Sequence, residues 1–259
     1  MKFVRFKNNS DILTGELTAD GIKEIKGDLL GTWEYTGKTF QESEVTLTAP
    51  LEPNQIIGIG ANFVTKTEEL PETLPEIPVF FFKPTSSVIG PEEDIVIPDA
   101  IEEVKFESEL AVIIGRDTKD VSEDEVLDYV FGYTVGNDVT APQYFHEAGH
   151  WTIGKSFDTF TPLGPVIETE LDPLSIRVEA RLNGEEKQNS GTELMIVPIK
   201  KMISYLSSVM TLKKGDVILT GSPVGAELVG ENNEIECEIK EIGVLRNNFV
   251  KAKKTAQSL

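Results

Sequence analysis

Eight short apolar, β-branched-rich runs recur along this chain, at 79–83, 94–97, 104–114, 130–137, 163–167, 175–182, 216–220 and 234–240. Turn residues separate them, and that spacing predicts a mostly β (α+β) architecture with few helices. Gln55-Ile56-Ile57-Gly58-Ile59-Gly60 reads as a further buried strand ending in a glycine turn. Two helices are expected. Ser122-Glu123-Asp124-Glu125 is a capping box that opens a segment carrying Val126, Leu127 and Val130. Pro198 starts a second helix, whose Ile199, Met202, Ile203, Leu206 and Met210 follow an i, i+3, i+4 stripe. Residues 1–52 are polar and turn-rich and are expected to form a small N-terminal β subdomain, with 53–259 as the catalytic domain. The segment 61–78, with three prolines and four glutamates, reads as a loop or a mobile lid.

Composition excludes several functions. With 24 Lys+Arg against 44 Asp+Glu the net charge is −20, which argues against binding a nucleic-acid backbone or docking on anionic lipid. No apolar run approaches the ~18 residues of a membrane span. The first residues are charged and lack the apolar core of a signal peptide. A lone cysteine forms no intrachain disulfide, so a cytoplasmic protein is expected. Cys237 shares strand parity with Ile235 and Ile239 and is read as an inert core thiol.

The candidate chemistry lies in carboxylates. In Phe106-Glu107-Ser108-Glu109-Leu110 the two glutamates fall on one face of a strand. A solvated strand face explains them equally well until Asp138 is considered, because it ends the apolar run 131–137. Three carboxylates from two strands would make an oxygen site for Mg²⁺, Mn²⁺ or Ca²⁺. Lys155, near Thr159, is either a surface lysine or a charge balance that holds an anionic substrate. Thr220-Gly221-Ser222-Pro223-Val224-Gly225 is either a plain turn or one that presents a hydroxyl or N–H to a ligand. It is not a G-x-S-x-G nucleophile elbow, and Gly58-Ile59-Gly60 lacks a dinucleotide fingerprint. His146-Glu147-Ala148-Gly149-His150 matches the H-E-x-x-H of zinc peptidases. Gly149 weakens a helix there, Pro142 limits its start, and no third histidine exists to complete the site.

Taken in order, these segments resemble the fumarylacetoacetate hydrolase family over roughly residues 53–250. The resemblance runs through Ile57–Asn62, Phe82-Lys83-Pro84, Phe106–Leu110, Gly132–Asp138, Gly154–Pro165, Asn183-Gly184-Glu185, Thr211–Asp216 and Thr220–Gly225. It implies a mixed β-roll with a few short helices, a homodimer, and one Mg²⁺ or Mn²⁺ per subunit on Glu107, Glu109 and Asp138. It also implies that Lys155 meets substrate and that Ser222 meets a substrate carboxylate, with Thr159 and Gln143 as further binding residues. The substrate would be a small 2-oxo acid. The members it most resembles are 2-hydroxyhepta-2,4-diene-1,7-dioate isomerases, 5-oxopent-3-ene-1,2,5-tricarboxylate decarboxylases and acylpyruvases.

Two departures bear on the reaction. Where the family has a water-activating lid histidine and glutamate, this chain has Lys66 and Glu69. Where the family has an arginine after Asn-Asp, it has Pro142 beside Gln143. His146 or Lys66 would have to substitute. Decarboxylation and tautomerisation need only a stabilised enolate, whereas hydrolysis also needs a positioned base and water. The expectation is therefore a decarboxylase or isomerase of aromatic-acid catabolism, with acylpyruvate-type C–C hydrolysis the alternative. A catalytically silent partner subunit and a zinc peptidase using His146 and His150 are the distant ones.

Overall fold

The computed structural model describes residues 1–253. Ten strands form the path of one large sheet, in the order Trp33–Phe40, Gly21–Gly27, Asp11–Thr18, Lys2–Asn8, Thr161–Glu168, Val130–Asn137, Ser108–Ile114, Val217–Leu219, Ile56–Ile59 and Phe80–Lys83. A second sheet orders Glu185–Gly191, Arg177–Leu182, Asn233–Ile239, Gly243–Lys251 and Ile95–Ile97. Asn183 and Gly184, both at positive φ, turn its first hairpin, as a tight two-residue connection requires.

Ser108–Ile114 is buried along its whole length. Leu110, Val112 and Ile114 share a core with Val178, Ala180, Ile235, Cys237 and Leu245 of the second sheet. Ala111 and Ile113 pack on the opposite face with Phe3, Ile56, Leu163 and Val217. A strand buried on both faces carries no polar alternation, so the glutamates at its start need a separate explanation. Cys237 is fully buried, as its parity predicts, and burial pushes its thiol up to about 12.

The N-terminal strands do not form a separate sheet. Lys2 and Phe3 pair with Glu168 and Ile167, so the first meander extends the large sheet. The helix Ile199–Val209 forms where the stripe predicts, with Ile199, Met202, Ile203 and Leu206 buried. The other expected helix does not form. Ser122 Oγ donates to Glu125 Oε2 (2.6 Å), but only a single 3₁₀ turn, Val126–Tyr129, follows before the strand from Val130. Three apolar residues give too little stripe to propagate a helix against the strand that follows. The run 104–114 also divides, into Val104–Lys105 and Ser108–Ile114, which leaves Glu107 in the link between the two pieces. No helix of the described residues is long and apolar enough to cross a membrane.

Candidate active site

Three strand ends and two loops converge on a cavity of about 400 Å³. The antiparallel pairing of Ser108–Ile114 with Val130–Asn137 sets Ser108 opposite Asn137 and Glu109 opposite Gly136. That register brings Asp138 beside the glutamates, and Asp138 N donates to Glu107 O (2.9 Å). One ligand atom from each of Glu107, Glu109 and Asp138 lies within 4.8 Å of the others. The cavity wall also holds Ile59, Gly60, Lys105, Phe145, Trp151, Lys155 and the turn Ser222–Ala226.

Two lysines from different elements clamp the carboxylates. Lys155, 4% exposed at the end of the 3₁₀ turn Ile153–Lys155, donates to Glu107 Oε2 (2.6 Å) and to Asp138 Oδ2. Its ammonium also lies 4.7 Å from the centre of the Phe81 ring. Lys83 ends the strand Phe80–Lys83 and donates to Asp138 Oδ1 (2.6 Å) and Val139 O (3.1 Å). At the rim, Lys105 pairs with Glu107 Oε1 (2.9 Å).

The electrostatics are uneven. Burial alone would raise the Asp138 carboxyl, but Lys155 and Lys83 hold it below its ordinary value. Burial acts against the Lys155 ammonium, yet Asp138 and Glu107 keep its pKa above the usual lysine value, so it is cationic at neutral pH. Burial lowers Lys83, with Asp138 working against that shift. Glu109 differs. It is 2% exposed and makes no ion pair among the described residues, and its one hydrogen bond comes from Gly221 N to Oε2 (2.7 Å). Burial pushes its carboxyl well above the ordinary range, and the Asp138 charge adds to the push. A buried carboxylate without a countercharge, beside two others that face a cavity, fits a hard divalent cation held by oxygens.

The other residues that the sequence singles out are divided. Ser222 lines the cavity. Thr159 does not, and its Oγ1 accepts from Val96 N (2.8 Å). Gln143 is exposed and donates to Glu103 O (2.9 Å). Lys66 and Glu69 are exposed in the 61–78 segment, 4.0 Å apart, with Glu69 Oε2 capping Thr65 N (3.1 Å). His146 and His150 are exposed on a turn with ring centres 5.9 Å apart, and His146 Nδ1 accepts from Ala148 N (3.0 Å). The turn is not the helix that a zinc peptidase needs. Lys83 is the functional residue that sequence reasoning misses, although a lysine closing the apolar strand Phe80–Lys83 is the same signal that singles out Asp138.

Comparisons with known proteins identify the family. Residues 55–250 match the family described as fumarylacetoacetate (FAA) hydrolase C-terminal, and residues 1–50 match one described as Rv2993c-like, N-terminal. The mitochondrial oxaloacetate tautomerase Fahd2a of Rattus norvegicus is 37% identical over 220 residues, covering 80% of this chain and 70% of that protein. The crystal structure of 5-carboxymethyl-2-hydroxymuconate delta-isomerase from Mycobacterium smegmatis is 35% identical, with a TM-score of 0.90, covering 97% of this chain and all of that one. Maleylpyruvate hydrolase from Sphingobium sp. SYK-6, solved with manganese(II) and pyruvate, is 27% identical with a TM-score of 0.81, covering 98% of this chain and all of that one. The chain belongs to the fumarylacetoacetate hydrolase family.

Proposed function

We propose that this protein is a Mg²⁺- or Mn²⁺-dependent enzyme that moves a proton within, or removes carbon dioxide from, a 2-oxo acid or oxo-dioate. Glu107, Glu109 and Asp138 would hold the ion. One observation supports this choice over hydrolysis. Among the described residues, the cavity lining contains the three carboxylates, Lys105, Lys155 and Ser222, but no imidazole and no fourth carboxylate to activate water. The names of the rat tautomerase and the mycobacterial isomerase point the same way.

When bound, a divalent ion supplies a Lewis acid that polarises a 2-oxo group and eases ionisation of the adjacent carbon. The remaining work falls to the chain. Lys155, cationic and buried against Glu107 and Asp138, balances the developing enolate and returns a proton at Nζ. Ser222 presents its hydroxyl to a carboxylate, and Phe145, Trp151 and Val224 narrow the access of water. In tautomerisation Lys155 would give its Nζ proton to the 2-oxygen and take up the C3 proton in its place, so the lysine ends cationic as it began and no water is consumed. Lys66, Glu69 and His146 have a part in this proposal only if their loops move over the cavity. The protein is proposed to act as a homodimer, a state that sedimentation velocity would read directly.

The second reading, C–C hydrolysis of an acylpyruvate, is favoured by the maleylpyruvate hydrolase solved with manganese(II) and pyruvate. The test is turnover of enol-oxaloacetate, a seven-carbon oxo-dioate and acetylpyruvate on one preparation, with Mn²⁺ and then with EDTA. Tautomerase or decarboxylase turnover that EDTA abolishes supports the proposal. Acetylpyruvate cleavage that outruns both other reactions refutes it.

A further inference from the structure

Gln188 lies in the second sheet, in the strand Glu185–Gly191, and is fully buried. Among the groups that line the cavity, its hydrogen bonds go to the Ser222–Pro223 turn. Its Oε1 accepts from Ser108 N (3.0 Å), on the strand between the two glutamates. Its Nε2 donates to Pro223 O and to Ser222 Oγ, each at 2.6 Å. The orientation of this amide is fixed by chemistry at both ends. A backbone N–H can only donate and a backbone carbonyl can only accept, so the oxygen must face Ser108 and the nitrogen must face Pro223. The second Nε2 proton then goes to Ser222 Oγ, which has to accept it.

We infer that Gln188 is a positioning residue that commits the Ser222 hydroxyl to donate into the cavity, and so selects a ligand with an acceptor oxygen there, a carboxylate or enolate. With one of its two lone pairs engaged by Gln188, the Ser222 hydroxyl cannot point its proton at Gln188 and must direct it elsewhere. Among the described residues that proton reaches only Pro223 O, in a long bond of 3.4 Å that a carboxylate or enolate oxygen in the cavity would outcompete. Backbone packing seats the turn on the same strand. A Cβ on Gly225, at φ +110°, would lie 1.9 Å from Lys187 O, so only glycine lets the two chains approach this closely. This inference rests on the 2-oxo acid reading for its ligand, but the polarity it assigns to Ser222 does not.

The experiment is a double-mutant cycle read by oxalate binding to the Mn²⁺-loaded protein, using Gln188→Met, Ser222→Ala and the pair. Each single change should weaken oxalate about tenfold, the size of one hydrogen bond to a charged group. In the Ser222→Ala background, Gln188→Met should have no further effect. An equal loss in both backgrounds would overturn the inference, since Gln188 would then act only through the fold. Gln188→Glu, which keeps an oxygen for Ser108 N, replaces the Met variant should that one not fold. A ligand-free measurement separates this inference from the functional reading. By NMR, both Gln188 Nε2 protons should exchange slowly in the wild type, and one should lose protection in Ser222→Ala. Protected protons with no oxalate binding to the wild type would count against the 2-oxo acid reading and support the Gln188 assignment. Fast exchange of both protons would overturn the assignment whatever oxalate does.

Discussion

Glu109→Gln should make the protein more stable without metal and less stable with it. Glutamine keeps an oxygen for Gly221 N and deletes a charge that is 2% exposed and has no cationic partner. Relief of an unpaired buried charge is worth roughly 2 kcal/mol. At roughly 2–4 °C per kcal/mol for a chain of this size, the variant should melt roughly 4–8 °C above wild type in EDTA. Mn²⁺ at a hundred times its Kd should add about 2.7 kcal/mol to the wild type and little to a variant lacking one of three donors. The order of melting temperatures therefore reverses on adding Mn²⁺, which differential scanning calorimetry reads directly. The pH dependence has a definite sign. Because the folded Glu109 carboxyl is raised above its unfolded value, its penalty is absent below the ordinary carboxylate pKa. The penalty grows as pH rises towards the folded pKa, so the gap in EDTA should close near pH 4. A wild type that melts above the variant in EDTA at pH 7, or equal Mn²⁺ shifts in both, would refute the assignment.

Lys83→Met strips Asp138 of one of its two buried cations and should cost about 3 kcal/mol in EDTA, read as a lower urea midpoint with an unchanged slope; a variant as stable as wild type would contradict the clamp. Cys237, fully buried with its thiol pushed up to about 12 by burial, should react with Ellman's reagent at pH 8 only at the rate of unfolding, and an immediate stoichiometric reaction would contradict that. His150→Ala should leave bound Mn²⁺ and zinc content unchanged by elemental analysis, since the exposed imidazole faces no metal cluster; loss of stoichiometric zinc would revive the peptidase reading. Lys66→Met should raise KM for an oxo-dioate, whose second carboxylate this lysine would hold with the 61–78 segment over the cavity, and leave the EDTA sensitivity intact; an unchanged KM would refute that role.

The sequence made the β-rich class and the helix Ile199–Val209 legible because both write a period into the residue pattern. The three carboxylates were legible because charges beside apolar strands need a reason. What escaped it has physical causes. The strand Glu185–Gly191, rich in Glu, Lys, Gln and Asn, is held by its hairpin turn and neighbour rather than by apolar alternation. The 122–129 segment carries a good cap, but its turn is cut short by the strand beginning at Val130. Lys83 and Gln188 act through partners 55 and 34 or more residues away, and no local pattern encodes such a pairing. The polar stretch 61–78 reads correctly as a loop, yet Lys66 and Glu69 lie on its exposed side rather than against the carboxylates.

The antiparallel pairing of Ser108–Ile114 with Val217–Leu219 joins segments some 110 residues apart, and it carries the Ser222 turn to the glutamates. The consequence is kinetic. A contact of such separation closes late, because chain entropy is lost before the contact repays it. No early intermediate then contains Gly221 N beside Glu109, so the cavity around the carboxylates is completed late in folding. Mn²⁺ added during refolding should slow unfolding while leaving the refolding rate untouched. The ion captures a finished scaffold rather than guiding its assembly.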